Sequence, residues 1–325
     1  MAQLTIVEAV NAAILQEMER DEKVVVLGED VGVDGGVFRA TQGLFKKFGE
    51  KRVIDTPLSE SGIVGVSIGL AANGFKPVAE IQFSGFMPPA FDQLSSHAAR
   101  LRNRTRGKIT CPIVVRMPSF GGIKAPEHHS ESVESLLAQV PGLKVVVPST
   151  PFDAKGLLVS AIRDPDPVMF LEPIKIYRSI KEEVPEQGYT IPLGKAKIAR
   201  DGKDVTLVSF GAMMRPALEA AQIATQKNIG VEVIDLRSIA PLDIDTINES
   251  VKKTGRCVIV HEGPRMCGIG AEISALVTEN DLLDLIAPVE RVTGFDTVMP
   301  LAKNEQYYLP NAQRIVAGIE KVVNY

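Results

Sequence analysis

The chain has 325 residues, 45% of them hydrophobic and 23% charged, with a net charge of −4. That length exceeds one ordinary core and points to two domains. The slightly acidic balance gives no electrostatic case for nucleic acid or an anionic membrane. The three cysteines are widely spaced with no CxxC pair, and no run approaches the roughly 18 apolar residues of a membrane span. The first residues carry acids and no basic n-region, unlike a signal peptide. The chain reads as reduced and cytoplasmic.

Thr5 and Glu8 have capping-box spacing and open a helix that runs to about Arg20. The run from Lys23 to Gly28 is a buried strand, because four consecutive apolar residues leave no polar face. A glycine-rich loop follows through Gly36, then a helix over residues 41–48. The stretch 55–74 stands out. A strand ends at Pro57, Ser59 is a suitable N-cap, and Glu60 suits the positive end of a helix dipole. That helix is apolar on most sides and carries Gly62, Gly65 and Gly69. Each glycine costs roughly 1 kcal/mol relative to alanine, so close packing against it is expected. A strand over 76–83 leads to Ser84-Gly85-Phe86, and Pro88 and Pro89 open a long helix to about Arg104. The basic run 100–108 reads as a subunit contact.

A strand over 111–116 precedes a polar loop, 118–132, that is long for a compact domain and has the profile of a functional loop. A strand over 144–148, a helix over 151–162 and a strand over 168–171 follow, and the pattern lapses from 181 to 197. A second unit then alternates strands at 204–210, 231–236, 257–261 and 289–293 with helices at 214–226, 243–253 and 269–278, ending in an amphipathic helix, 311–325. Strands alternating with helices place the chain in the α/β class, with two parallel-sheet domains. The expected boundaries are a domain over 1–185, a linker over 186–200 and a domain over 201–325.

Ligands of such sheets sit at the carboxyl ends of strands. In the first domain those positions hold Glu29, Glu60, Gln82, Phe86 and the His128-His129 loop. No GxSxG elbow, P-loop, GxGxxG or HExxH accompanies them. Acids and an aromatic without a phosphate cradle point to an organic cofactor whose phosphates are held elsewhere.

The motifs GEDVG (28–32), GGVFRAT (35–41), DTPLSESGIVG (55–65), AEIQF (79–83), PGLKVVVPSTPFDAKGLL (141–158) and DLRSIAPLD (235–243) resemble the beta subunit of the thiamine-diphosphate-dependent 2-oxo acid dehydrogenases. The resemblance spans essentially the whole chain. It implies a transketolase-like pyrimidine-binding domain followed by a transketolase C-terminal-like domain. It implies that Glu60 hydrogen-bonds the aminopyrimidine ring nitrogen of thiamine diphosphate and favours its imino form, the cofactor's own base. Leu58, Gln82 and Phe86 match positions around that ring, and Glu29 is near enough to support Glu60. His129 matches the histidine of the family's His-Ser pair, beside the substrate carboxylate and the incoming lipoyl group. His128 falls on a position that the family does not require.

Ile113, Ala161, Asp164 and Asp166 match positions where relatives bind a monovalent cation, K+ being the candidate. A plain helix-ending turn explains the same residues, and both readings stay open at this point. Thiamine enzymes hold Mg2+ and the diphosphate through a GDG motif, and this sequence has none. The resemblance therefore implies an alpha subunit, an α2β2 assembly and a C-terminal domain that docks a dihydrolipoyl acyltransferase core. The rivals are a non-catalytic scaffold, whose discriminator is the retained Glu60, and a fragment of transketolase or deoxyxylulose-phosphate synthase. For the substrate, Leu171–Arg178 looks more like branched-chain enzymes, with pyruvate or acetoin as the alternative.

Overall fold

The computed structural model describes residues 1–325. The chain divides into two compact units, one of Met1–Phe120 with His128–Leu193, the other of Gly121–Glu127 with Gly194–Tyr325. No helix is long and apolar enough to cross a membrane.

In the first unit, β1 (Ala2–Leu4) runs into α1 (Ile6–Arg20). The capping box forms: the Thr5 hydroxyl accepts from the Glu8 amide, and the Glu8 carboxylate accepts from the Thr5 amide at 2.7 Å. β2 (Val24–Gly28) is buried throughout. The helix expected over 41–48 shortens to α2 (Leu44–Phe48), because Gly43 before it takes a left-handed conformation, φ 83°. β3 (Val53–Asp55), α3 (Glu60–Ala72) and β4 (Lys76–Glu80) follow.

The long helix expected over 88–104 is broken. A 3-10 turn spans Pro88–Ala90, a π-helix spans Gln93–Ala98, and α4 is Leu101–Arg104. The two prolines supply no N–H, and the Ala99 amide reaches back five residues to the Leu94 carbonyl at 3.0 Å. β5 (Val114–Ser119) begins later than expected. Ahead of it Pro112 has no N–H, and the Ile113 amide turns back onto the Cys111 carbonyl at 2.8 Å. The short α5 (Glu134–Ala138) has too few residues to show a period in the sequence. β6 (Lys144–Val146), α6 (Pro151–Arg163), β7 (Val168–Pro173) and β8 (Glu182–Val184) complete the unit. Thr150 caps α6, with Pro151 at its first position.

The strands run β6-β7-β5-β4-β2-β3, every neighbouring pair parallel. Register puts Gly28 beside Glu80 and Glu80 beside Arg116, so the carboxyl ends of the central strands lie level. α1 and α6 are joined where Arg163 grips the Glu17 carboxylate at 2.6 and 3.0 Å. The segment read as patternless from Lys181 contains β8, which pairs antiparallel with β1, Ala2 opposite Val184. Two three-residue strands 180 positions apart carry no periodicity that a local reading can use.

The second unit contains β9 (Lys197–Arg200), β10 (Val205–Ser209), α7 (Met214–Thr225), β11 (Val231–Asp235), β12 (Ser238–Ala240), α8 (Ile244–Thr254), β13 (Cys257–Val260), α9 (Ile269–Asp281), β14 (Glu290–Val292), α10 (Glu305–Tyr308) and α11 (Ala312–Val323). Its sheet order is β14-β13-β10-β11-β9, parallel except for the antiparallel edge strand β9. Glu262 accepts the Gly121 amide at 2.9 Å, and Glu305 accepts those of Gly122 and Lys124 at 2.7 and 2.9 Å. His261 is buried, with both ring nitrogens unpartnered, and burial pushes its pKa down to about 4. His261, Glu262 and Glu305 all pack within this unit.

Candidate active site

Ser59 is extended and its hydroxyl accepts from the Gly62 amide at 3.3 Å, which starts α3 with Glu60 at its first position. Ile63, Val64, Ser67 and Ala71 are buried, while Val66 on the opposite face is 57% exposed. The close packing expected at the glycines is present at Gly62, where a Cβ would stand 3.0 Å from Ser59 Oγ, and is not supplied within the chain at the other two. A Cβ on Gly65 would meet only the Gln93 side chain at 3.6 Å, and one on Gly69 nothing within 4 Å.

Glu29 leaves the end of β2, half-buried. Burial lifts its pKa first, and the charges of Glu60 and Asp30 lift it further. The structure thus brings Glu29 and Glu60 into electrostatic reach. The loop after β2 is pinned by Asp55, whose carboxylate accepts from the Gly32 and Val33 amides at 2.6 and 3.1 Å. Gln82 donates to Asp30 at 3.3 Å. Leu58 stands 77% exposed at the rim.

Phe86 and His129 come together. Their ring centroids are 5.0 Å apart, edge to face, and Phe83 lies 4.4 Å from His129 and 5.5 Å from Phe86. Phe38 continues the cluster, 5.4 Å from Phe83 and 5.5 Å from Tyr177. The loop bearing His129 is held by the Glu131 carbonyl, which accepts from Ser84 Oγ at 2.8 Å and from the Phe120 amide at 3.2 Å. His128 is exposed, with a left-handed backbone, φ 67°. Behind the loop Ser130 Oγ, Ser132 Oγ and Glu134 Oε2 are buried without partners, and burial pushes Glu134 up to about 7.

The four residues of the cation reading sit around one turn. Lys144 holds the Asp164 carboxylate at 2.6 and 2.7 Å, and Arg102 holds that of Asp166 at 2.6 Å. The Ile113 carbonyl accepts from the Val168 amide at 3.0 Å, and that of Ala161 from the Asp164 amide at 3.2 Å. Both side-chain carboxylates already have cationic partners, so an ion at this turn would rely on backbone carbonyls.

Residues 2–179 match the family "Transketolase, pyrimidine binding domain", and residues 194–315 match "Transketolase, C-terminal domain". Pyruvate dehydrogenase E1 component subunit beta of Acholeplasma laidlawii is 53% identical over 322 residues, covering 99% of this chain and 98% of that protein. Its namesake from Bacillus subtilis is 51% identical over 325 residues, covering all of both. The chain belongs to the beta-subunit family of the thiamine-diphosphate-dependent 2-oxo acid dehydrogenases.

A solved chain described as a split gene transketolase, inactive beta4 tetramer, superposes with a TM-score of 0.82 over 99% of each chain. At 23% identity that likeness shows the fold alone. For a beta subunit, the donor set fits the pyrimidine half of thiamine diphosphate. A carboxylate stands at a capped helix start, a second carboxyl lies nearby, and a half-exposed phenylalanine sits beside a histidine. Sequence reasoning did not single out Phe83 or Asp30. Phe83 joins Phe86 to His129 and Phe38, and its only sequence signal is its place in the apolar alternation of 79–83.

Proposed function

We propose that this chain supplies the pyrimidine-binding half of a 2-oxo acid decarboxylase site completed by an alpha subunit. The observation that carries the reading is Glu60 at the capped start of α3 with Glu29 beside it, at the carboxyl edge of a parallel sheet. Glu60 would hold the ring nitrogen of the aminopyrimidine, and Glu29 would keep a proton within reach of that carboxylate. Phe86 would pack beside the ring, with Leu58 at the rim and Gln82 orienting the loop through Asp30. Thiamine diphosphate, when bound, supplies the carbanion that attacks a 2-oxo carbon. His129 would meet the substrate carboxylate and pass a proton to the lipoyl sulfur during reductive acylation.

The alpha subunit would hold Mg2+ and the diphosphate, in an α2β2 assembly, and the second unit would dock the dihydrolipoyl acyltransferase core. A monovalent cation at the 161–166 turn would be a structural ion held mostly by backbone carbonyls of Ile113, Ala161, Asp164 and Asp166.

For the substrate we favour pyruvate, the acid named in the relatives that are 53% and 51% identical. The branched-chain reading rested on Leu171–Arg178. In the structure Glu172 and Tyr177 are buried and bonded to each other, which gives them a role within the fold.

The decisive experiment purifies the chain with its alpha partner and measures decarboxylation of pyruvate against 3-methyl-2-oxobutanoate. Glu60→Gln is expected to abolish turnover while the assembly survives. Near-normal activity of that variant removes the central assignment. Tight binding of thiamine diphosphate and Mg2+ by the isolated chain removes the shared site.

A further inference from the structure

Beneath the ring cluster lies a group of charges to which the proposed chemistry gives no role. Glu80 ends β4, Arg116 lies on β5 and Glu172 on β7, and all three side chains are almost wholly shielded from solvent. Arg116 Nη1 donates to Glu80 Oε2 at 2.7 Å, and Nε and Nη2 donate to the two oxygens of Glu172 at 2.7 and 2.8 Å. The Tyr177 hydroxyl donates to Glu172 as well. We propose that the Glu80–Arg116–Glu172–Tyr177 cluster is the positioning device of the Phe83–Phe86–His129 cluster, and that it stores one proton, with Glu80 as the neutral member.

The positioning argument is a chain of contacts. One guanidinium ties together the carboxyl ends of three neighbouring strands. Two of those ends lead directly into the site. Glu80 is followed by Ile81, Gln82 and Phe83, and the Ile81 amide is bonded to the Arg116 carbonyl at 3.0 Å. Glu172 orients Tyr177, whose ring packs on Phe38, and Phe38 packs on Phe83, which touches His129. Arg178 closes the same path by donating to the Phe38 carbonyl at 2.7 Å.

The proton follows from counting charges. Two carboxylates share one guanidinium out of water, and an uncompensated buried charge is strongly unfavourable. Glu172 is the member built to be ionised, because it receives both forks of Arg116 and the tyrosine hydroxyl. Glu80 receives one bond, and its other oxygen faces the Gly36 turn, where a Cβ would stand 3.4 Å away. Burial raises its pKa as this assignment requires.

The kinetic half of the test rests on the functional reading above, and the spectroscopic half does not. Infrared difference spectroscopy of the assembled α/β pair is expected to show a protonated-carboxyl stretch that Glu80→Gln removes and Glu60→Gln retains. Glu80→Ala is expected to lower kcat about 100-fold, the scale of a 1 Å misplacement. Glu80→Gln is expected to restore most of that loss, since a neutral amide replaces a neutral acid. Tyr177→Phe keeps the ring packing and loses only the hydroxyl, and is expected to lower kcat with little change in KM. Glu29 and Glu134 can contribute carboxyl bands of their own, so the result that overturns the stored proton is a carboxyl spectrum that Glu80→Gln leaves unchanged. Assembled Glu80→Ala and Tyr177→Phe with wild-type kcat overturn the positioning role. A wild-type pair without decarboxylase activity overturns the functional reading instead, and leaves the infrared result to stand.

Discussion

Gly85 offers the most direct test of the His129 loop. It lies in the 3-10 turn Ser84–Phe86. A Cβ at this position would stand 1.9 Å from the His128 carbonyl oxygen and 2.7 Å from the carbonyl carbon. Ordinary contact begins near 3.4 Å, so Gly85→Ala forces the loop back by about 1.5 Å. The obstacle is backbone, which no rotamer change can relieve. The loop is also anchored on both sides through the Glu131 carbonyl, so it cannot retreat without straining those bonds. A 1 Å misplacement of a positioned group costs about 100-fold in rate, equivalent to about 2.7 kcal/mol of barrier. Overpacking adds about 1–3 kcal/mol of lost stability. The assay is steady-state decarboxylation by the purified α/β pair, with size-exclusion chromatography to establish assembly. The expected result is an intact assembly whose kcat has fallen about 100-fold. A Gly85→Ala pair within about threefold of wild type would refute both the tightness of this contact and the role assigned to His129.

Burial of Glu134 raises its pKa from 4.5 to about 7. Its contribution to stability is therefore full below pH 4.5 and is lost as pH rises to about 7, a fall of about 3 kcal/mol. Urea unfolding across that range should show the slope, and Glu134→Gln should flatten it; an unchanged slope in the variant assigns the effect to another group. Cys111 and Cys257 are buried, with thiols pushed up to about 12, while Cys267 is exposed. A thiol reagent should label one site in the native chain and three after denaturation, and two fast native sites contradict the burial. Thr5→Ala removes a capping hydroxyl and is expected to cost about 1 kcal/mol in thermal or urea unfolding.

Much of the first unit was legible because its signals are local. The Thr5–Glu8 spacing and Ser59 before Glu60 each describe a helix start within four residues, and each forms as expected. Apolar strands such as β2 and β13 announced a sheet covered on both faces. The readings that failed depended on geometry without a period. The Gln93–Ala98 π-helix is made of ordinary helix formers, and only the five-residue hydrogen bond distinguishes it. The β1–β8 pair joins two ends of the unit. The glycines of α3 imply a close neighbour, yet within the chain the face carrying Gly69 and Val66 is open.

By itself the sequence determined the α/β class, the order of elements, the family and the candidates Glu60 and His129, because apolar period, caps and motifs are written along the chain. Only the tertiary structure decided which polar residues stand together. Glu29 and Glu60 are 31 positions apart, and Glu80, Arg116 and Glu172 span 92. A parallel sheet places its strands side by side in an order that differs from their order in the chain, so residues remote in sequence share its carboxyl edge. Burial there raises Glu80, and it works against the Arg116 charge, which the carboxylates of Glu172 and Glu80 hold in place. No local pattern predicts this, since the cause is the exclusion of water by other parts of the chain.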